Sequence, residues 1–230
     1  MSGLTDKLRS RAHWRTVIRP GDFRPDRLSY EALATVVQSV QVRMRGWYVP
    51  HFSEPLQYGT DWIGYESQFE HHFEAWRFYT SGQFVDLIGV ASEWRDESSL
   101  HPAPPDWKPS ARLPVWEPLF MFTEIFELAA RLALSPAGAD LMVVGIEARH
   151  IQGMQLVVDD PGRAEFFQPY VASINSFPFE ASYSREELIT SARKEAVRAT
   201  RELVLRFGWT AATEELLAGY QQQLVGGDRS

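Results

Sequence analysis

The chain has 230 residues, a formal net charge of −7 and 44% hydrophobic residues. This composition excludes a disordered chain and allows one large hydrophobic core or two small ones. No cysteine is present, which excludes disulfides, thiolate zinc sites and thiol nucleophiles. The first residues lack the apolar segment of a signal peptide, and no run of about 18 apolar residues follows. We therefore expect a cytoplasmic protein that does not span a membrane.

Residues 13–20, HWRTVIRP, predict the first strand, because apolar and polar side chains alternate along it. A helix with Ser29 as its N-cap follows, with Leu33, Val37 and Val40 on one face.

The next segment, residues 43–52, predicts a second strand with arginine and tryptophan side chains on one side. If it pairs with the first strand, the arginines of both form a basic patch that attracts anions. The charge distribution agrees, since residues 1–50 carry nine basic and four acidic groups. A tryptophan and an arginine of a later strand complete the predicted ligand-binding residues, which are Arg15, Arg19, Arg43, Arg45, Trp47, Trp76 and Arg77.

Residues 61–69 and 71–80 predict two further strands, and the second of them begins a hairpin that turns at Gly82. In this hairpin, His72 and Glu74 point to the same side, about 6–7 Å apart, because side chains alternate along a strand. Such a pair predicts either a metal site, with His13, His51 or Asp61 as a third ligand, or a structural hydrogen bond. No other cofactor motif is present, and we expect no cofactor.

The proline-rich segment of residues 95–113 predicts a long loop, which could equally be a lid or a partner-binding arm with Trp107 as its exposed anchor. Residues 118–135 then predict a helix that is apolar around most of its circumference and must be buried. Its carboxylates Glu124 and Glu127 are either proton-transfer groups or structural partners of nearby arginines.

Residues 139–151 and 154–160 predict a second hairpin, and Pro178 in the following strand indicates either an edge strand or a bulge. Ser184 and Glu187 form the pattern of a capping box, which begins a long helix ending at Gly208. The predicted fold is α+β, a mostly antiparallel sheet wrapped around a buried central helix, with a long C-terminal helix. We expect a single domain over residues 1–230, or two lobes, 1–113 and 114–230.

Several strings of this chain resemble a bacterial domain of unassigned function. They are HWRTVIRP, RMRGWYVPHF, HHFEAWRFYTSGQFVDL, LFMFTEIFELAARLAL, QLVVDDP and FGW, and they span residues 12–210. This domain is associated with the C-terminal region of AlbA/Schlafen-type DNA-binding proteins, and with defence or regulation. The strings contain no catalytic set, so the resemblance implies no site residues.

Three functions are compatible with these patterns. The first is a non-enzymatic interaction or sensor module of a bacterial regulatory or defence system, acting through protein partners. The second is a nucleotide or nucleic-acid binding protein that uses the basic and aromatic residues given above. The third is a metal-dependent hydrolase at His72 and Glu74. The oligomeric state is not predicted.

Overall fold

The computed structural model describes residues 3–100, 102–103, 105, 107–109, 111–158 and 164–225. The helices are α1 (Gly3–Arg9), α2 (Leu33–Val40), α3 (Trp116–Leu134), α4 (Arg185–Arg206) and α5 (Glu214–Val225), with 3₁₀ segments at Tyr30–Ala32 and Ala91–Glu97. The strands are β1 (His13–Pro20), β2 (Val42–Arg43), β3 (Tyr48–Val49), β4 (Gln57–Tyr58), β5 (Trp62–Phe69), β6 (His72–Tyr79), β7 (Phe84–Gly89), β8 (Arg112–Pro114), β9 (Leu141–Arg149), β10 (Gln155–Val157), β11 (Tyr170–Val171) and β12 (Ser176–Ser184).

The main sheet has seven strands within the described ranges, in the order β12-β9-β1-β7-β6-β5-β4, and neighbouring strands are antiparallel. Strand β1 lies near its centre, between β7 and β9. The sheet therefore joins strands from residues 1–113 with strands from residues 114–230. The division into domains or lobes stays a prediction.

Helix α3 packs against one face of this sheet, where Trp14 of β1 meets Phe122 edge-on at 5.6 Å between ring centroids. Almost every residue of α3 is buried, including Leu119 and Phe126. The predicted α+β fold with a buried central helix is confirmed, although α3 begins at Trp116, two residues before the predicted start at Pro118.

The long C-terminal helix α4 is confirmed, together with its cap. The Glu187 N–H donates to Ser184 Oγ at 3.2 Å, and the Ser184 N–H donates to Glu187 Oε2 at 2.7 Å. These two bonds satisfy N–H groups that have no partner within the helix. Both α4 and α5 pack on α3. No helix in the described ranges is long and apolar enough to cross a membrane.

The predicted strand over residues 43–52 is wrong. Strands β2 and β3 are two residues each and pair only with each other in a small hairpin. Gly46 reverses the chain between them with φ at +91°, a conformation that glycine adopts without strain. This hairpin does not pair with β1, because β7 and β9 occupy both edges of that strand.

The predicted second hairpin is also wrong, although the chain does reverse at Gly153 with φ at +84°. Strand β9 pairs with β1 and β12, whereas β10 belongs to a separate three-stranded sheet with β8 and β11. Residues 159 and 160 of the prediction lie outside the described residues. The hairpin of β6 and β7 is confirmed, as is the edge position of β12.

Candidate functional site

The arginines predicted to form one basic patch lie on different sides of the main sheet. Trp14 of β1 points towards α3, so Arg15 and Arg19 point to the opposite face, since neighbouring side chains alternate. Arg45, by contrast, donates to the Glu124 carboxylate of α3 through Nε at 3.0 Å and through Nη2. The loss of the expected strand pairing explains this separation.

Most of the other predicted ligand residues have partners within the chain. The Arg43 guanidinium lies over Tyr48, at 5.4 Å from the ring centroid, and that of Arg77 lies 4.3 Å over Trp62. Trp76 is 1% exposed and donates its indole N–H to the His51 carbonyl at 2.7 Å. Trp76 is therefore a core residue whose ring is covered. Trp47 remains 43% exposed, although the Arg45 guanidinium stacks on it at 4.8 Å.

The predicted geometry of His72 and Glu74 is present, with His72 Nε2 and Glu74 Oε2 3.0 Å apart. The His51 N–H approaches the other oxygen of Glu74 at 3.4 Å. No group of three or more histidine, aspartate or glutamate side chains able to hold a metal occurs in the described part of the chain. The pair thus has a hydrogen-bonding role, and the metal site gains no third ligand from the described residues.

Glu74 has a second carboxyl neighbour, Asp86, on the adjacent strand β7. The two carboxyl groups are 3% and 2% exposed, and Asp86 lies directly opposite Thr16 of β1. Burial, followed by repulsion from Glu74, raises the pKa of the Asp86 carboxyl well above its ordinary value, against a hydrogen bond from the Leu87 N–H. Glu74 and Asp86 therefore both lie inside the core.

A surface groove of about 410 Å³ is the best candidate for a functional site. It lies where the 3₁₀ segment Ala91–Glu97, the proline-rich loop, β8 and the first turn of α3 meet. We call it the basic groove. Its lining residues are His71, Ala91, Ser92, Arg95, Trp107, Lys108, Ala111, Arg112, Pro114, Trp116, Glu117, Val157 and Val158.

Three cations border the basic groove, namely Arg95, Lys108 and Arg112, and all three are exposed. None of their side chains makes an ion pair or a hydrogen bond with another described residue. Elsewhere, arginines such as Arg11 and Arg193 pair with carboxylates at 2.6–2.8 Å. Within the described part of the chain, the groove therefore gathers three cations without a carboxylate partner, on a chain whose net charge is −7.

Two indole rings, those of Trp107 and Trp116, also line the groove, and both are half-buried. Trp107 donates its N–H to the Ser92 carbonyl at 3.0 Å, and the Trp116 ring packs on Phe120 at 5.9 Å. The prediction that Trp107 is an exposed anchor is therefore wrong, because this hydrogen bond holds the ring against the protein. These contacts hold both rings against the protein at the edge of the groove.

Glu117, in the first turn of α3, is the carboxyl group among the described lining residues. It is 7% exposed, and its Oε1 accepts the Ala91 N–H at 3.0 Å. Burial raises the pKa of this carboxyl to about 7. The Ala91 N–H, the nearby Trp14 indole and the Arg45 guanidinium act against this rise, in that order, whereas the Glu93 carboxylate adds to it.

The loop that carries Trp107 is anchored at its start by Glu70, a residue with φ at +53°. The Glu70 carboxylate accepts hydrogen bonds from the Ser98 hydroxyl at 2.6 Å, from the Ser99 N–H and hydroxyl at 2.7 Å, and from the Leu100 N–H at 3.0 Å. These bonds, led by that of Ser98, lower the pKa of the Glu70 carboxyl to about 2. The loop therefore leaves the 3₁₀ segment in a defined direction.

The sequence patterns missed the basic groove because its wall comes from segments far apart in the chain. The available signal was a local one, since Trp107, Lys108 and Arg112 occur together in the proline-rich loop, just before Trp116 and Glu117. Aromatic and basic residues in a loop favour binding, because loops carry functional residues more often than core elements do.

No protein-family model matches the chain, and neither a curated protein nor a solved structure shows significant similarity to it. The resemblance to a domain of AlbA/Schlafen-type proteins accordingly stays an expectation.

Proposed function

We propose that this chain is a non-enzymatic sensor module of a bacterial regulatory or defence system. In this proposal it works in the cytoplasm, binds a small anionic ligand with a planar ring in the basic groove, and signals the bound state to a protein partner. The observation that carries the proposal is the meeting, in one groove, of two indole rings with three cations that make no ion pair with another described residue.

The size of the groove favours a small molecule over a polymer. Small-molecule sites measure about 300–1,000 Å³, and the basic groove, at about 410 Å³, lies at the lower end of that range. Cations hold phosphate or carboxylate groups, and indole rings stack on bases or similar rings. A mononucleotide combines both features at this size.

The hydrogen bond made by the Ser92 hydroxyl, in the wall of the groove, supports ligand binding rather than nucleophilic catalysis. Ser92 donates its hydroxyl proton to the Arg112 carbonyl at 2.6 Å, so its hydrogen atom is directed at the backbone. An activated serine instead donates to a basic side chain such as histidine. We therefore assign Ser92 to the structure of the groove wall.

Isothermal titration calorimetry with AMP, GMP and inorganic phosphate tests the proposal. We expect both nucleotides to bind more tightly than phosphate, and higher salt to weaken binding. Arg112→Met should lower nucleotide affinity about 10-fold or more, because charge-assisted hydrogen bonds contribute roughly 1.5–3 kcal/mol. Arg15→Met is the matched control, since Arg15 is also exposed but lies on the far face of the main sheet.

A second matched pair tests the indole rings. Trp107→Ala should lower nucleotide affinity about 5-fold to 150-fold, because stacking contributes roughly 1–3 kcal/mol per base. Trp47→Ala, which removes an exposed indole outside the groove, should leave affinity unchanged. The proposal is wrong if neither nucleotide binds, or if the groove variants behave like their controls.

A further inference from the structure

The three cations of the basic groove are gathered around one residue, Ser92. The Ser92 hydroxyl donates to the Arg112 carbonyl at 2.6 Å, which holds β8 beside the 3₁₀ segment. The Ser92 carbonyl accepts the Trp107 indole N–H at 3.0 Å, and Lys108 is the next residue along that loop. Arg95 follows Ser92 within the same 3₁₀ segment. Two hydrogen bonds on Ser92 therefore bring three segments, each with one cation, to the same groove.

These cations have no carboxylate to offset them within the described part of the chain. Arg95, Lys108 and Arg112 are exposed and make no ion pair or hydrogen bond there. The buried Glu117 carboxyl in the groove wall accepts the Ala91 N–H instead, at 3.0 Å. Arginine and lysine both keep their charge at neutral pH. The groove therefore presents three positive charges, and an anionic ligand relieves the repulsion between them.

The charge and the oxygen atoms of a diphosphate match this set better than those of a single phosphate. A phosphate monoester carries a charge of about −1.5 to −2 at pH 7, and a second phosphate linked to it adds roughly one more negative charge. An arginine guanidinium donates two parallel hydrogen bonds to two oxygens, whereas a lysine ammonium acts as a point charge. Two guanidinium groups and one ammonium therefore take about five oxygens. A diphosphate ester has five non-bridging oxygens, but a phosphate monoester has three.

We propose that the basic groove binds a ligand with two linked phosphate groups, such as a nucleoside diphosphate, and that Arg95, Lys108 and Arg112 together hold the diphosphate. This inference rests on the function proposed above. It adds the class of phosphate and makes no choice of base. The two indole rings at the edge of the groove are left for the ring of the ligand.

The experiment is calorimetric titration of the whole chain with ADP, AMP, pyrophosphate and inorganic phosphate, without divalent cations, which would themselves bind the diphosphate. We expect ADP to bind about 10-fold to 150-fold more tightly than AMP, the range for one further charge-assisted hydrogen bond. Pyrophosphate should exceed phosphate by a similar factor. Because ADP and AMP share one base, the ratio of their affinities reports the second phosphate alone.

Substitution of single cations gives a second readout. Arg95→Met, Lys108→Met and Arg112→Met should each lower the ratio of ADP to AMP affinity, because each removes a partner of the diphosphate. Arg15→Met, on the far face of the main sheet, should keep the wild-type ratio. The groove cations are exposed and lack partners among the described residues. Their variants should therefore keep the wild-type midpoint in urea, which shows that a change in affinity does not come from unfolding.

The outcomes separate this inference from the proposed function. If AMP binds as tightly as ADP and Arg112→Met weakens both, the groove binds nucleotides but the diphosphate assignment is wrong. If pyrophosphate binds as tightly as ADP and the cation variants weaken both, the diphosphate assignment holds and the ring of the ligand in the proposed function is wrong. If none of the four compounds binds, the proposed function and the inference are both wrong. Cation variants that keep the wild-type ratio, as Arg15→Met does, contradict the inference.

Discussion

Replacing Glu117 by glutamine should change how the stability of the fold depends on pH. The pKa of the Glu117 carboxyl is 4.5 without the fold and about 7 within it, chiefly because the side chain is buried. A carboxyl with a raised pKa stabilises the native state fully only below the unfolded pKa, and this stabilisation is lost as the pH rises through the folded pKa. At about 1.4 kcal/mol per pKa unit, ionisation of this group makes the free energy of unfolding at pH 8 roughly 3 kcal/mol lower than it is below the unfolded pKa.

Urea denaturation of both proteins between pH 5 and pH 8, followed by tryptophan fluorescence and circular dichroism, measures the effect. Glutamine has nearly the shape of the neutral acid and does not ionise, so the variant should gain roughly 2–3 kcal/mol relative to wild type between pH 5 and pH 8. Glu127→Gln controls for the loss of a negative charge elsewhere on α3. Parallel stability curves for wild type and Glu117→Gln would refute the reasoning.

Three further substitutions test the packing of the fold by the same urea denaturation. Arg45→Met should destabilise the protein by about 3–5 kcal/mol, because it leaves the buried Glu124 carboxylate unpaired. Adding Glu124→Leu to Arg45→Met should recover most of the lost stability. A double variant that is no more stable than Arg45→Met alone would contradict the ion-pair explanation. Ser184→Ala removes the capping box of α4 and should cost about 1 kcal/mol; an unchanged midpoint would show that the cap contributes nothing. Gly138→Ala places a Cβ 2.3 Å from a backbone oxygen of α3 and should cost roughly 1–3 kcal/mol, whereas Gly219→Ala, which meets nothing within 4 Å, should not destabilise.

Elements with a strong local pattern were predicted correctly from the sequence. Strand β1 alternates over its whole length, α3 is apolar around most of its circumference, and α4 begins with a capping box. Each of these patterns can be read from residues close together in the sequence, because alternation along a strand, the faces of a helix and a capping box all depend on near neighbours.

Strand pairing was predicted less well, because it depends on contacts between distant segments. Gly46 reverses the chain inside what was expected to be one strand, and the strands on either side of Gly153 do not pair with each other. A sequence pattern states which residues share a face of a strand, but it does not state which strand lies beside it.

For the candidate site too, the local contact was predicted from the sequence and the contacts between distant segments were not. The contact between His72 and Glu74 follows from alternation along one strand, so the sequence was sufficient to predict it. The basic groove brings Arg95, Trp107, Arg112 and Glu117 together from a 3₁₀ segment, a loop, a strand and a helix. Its location becomes visible only when the tertiary structure places these elements side by side.

The central position of β1 also determines the order in which the protein is assembled. Strand β1 is synthesised well before one of its two neighbours, β9, which ends only at Arg149. Until then, one edge of β1 has no partner, and the apolar side chains that will contact α3 have no complete core. Pairing between such distant segments slows folding and exposes strand edges to aggregation. We therefore expect fragments that end before β9 to need a chaperone, whereas the whole chain can close its own sheet.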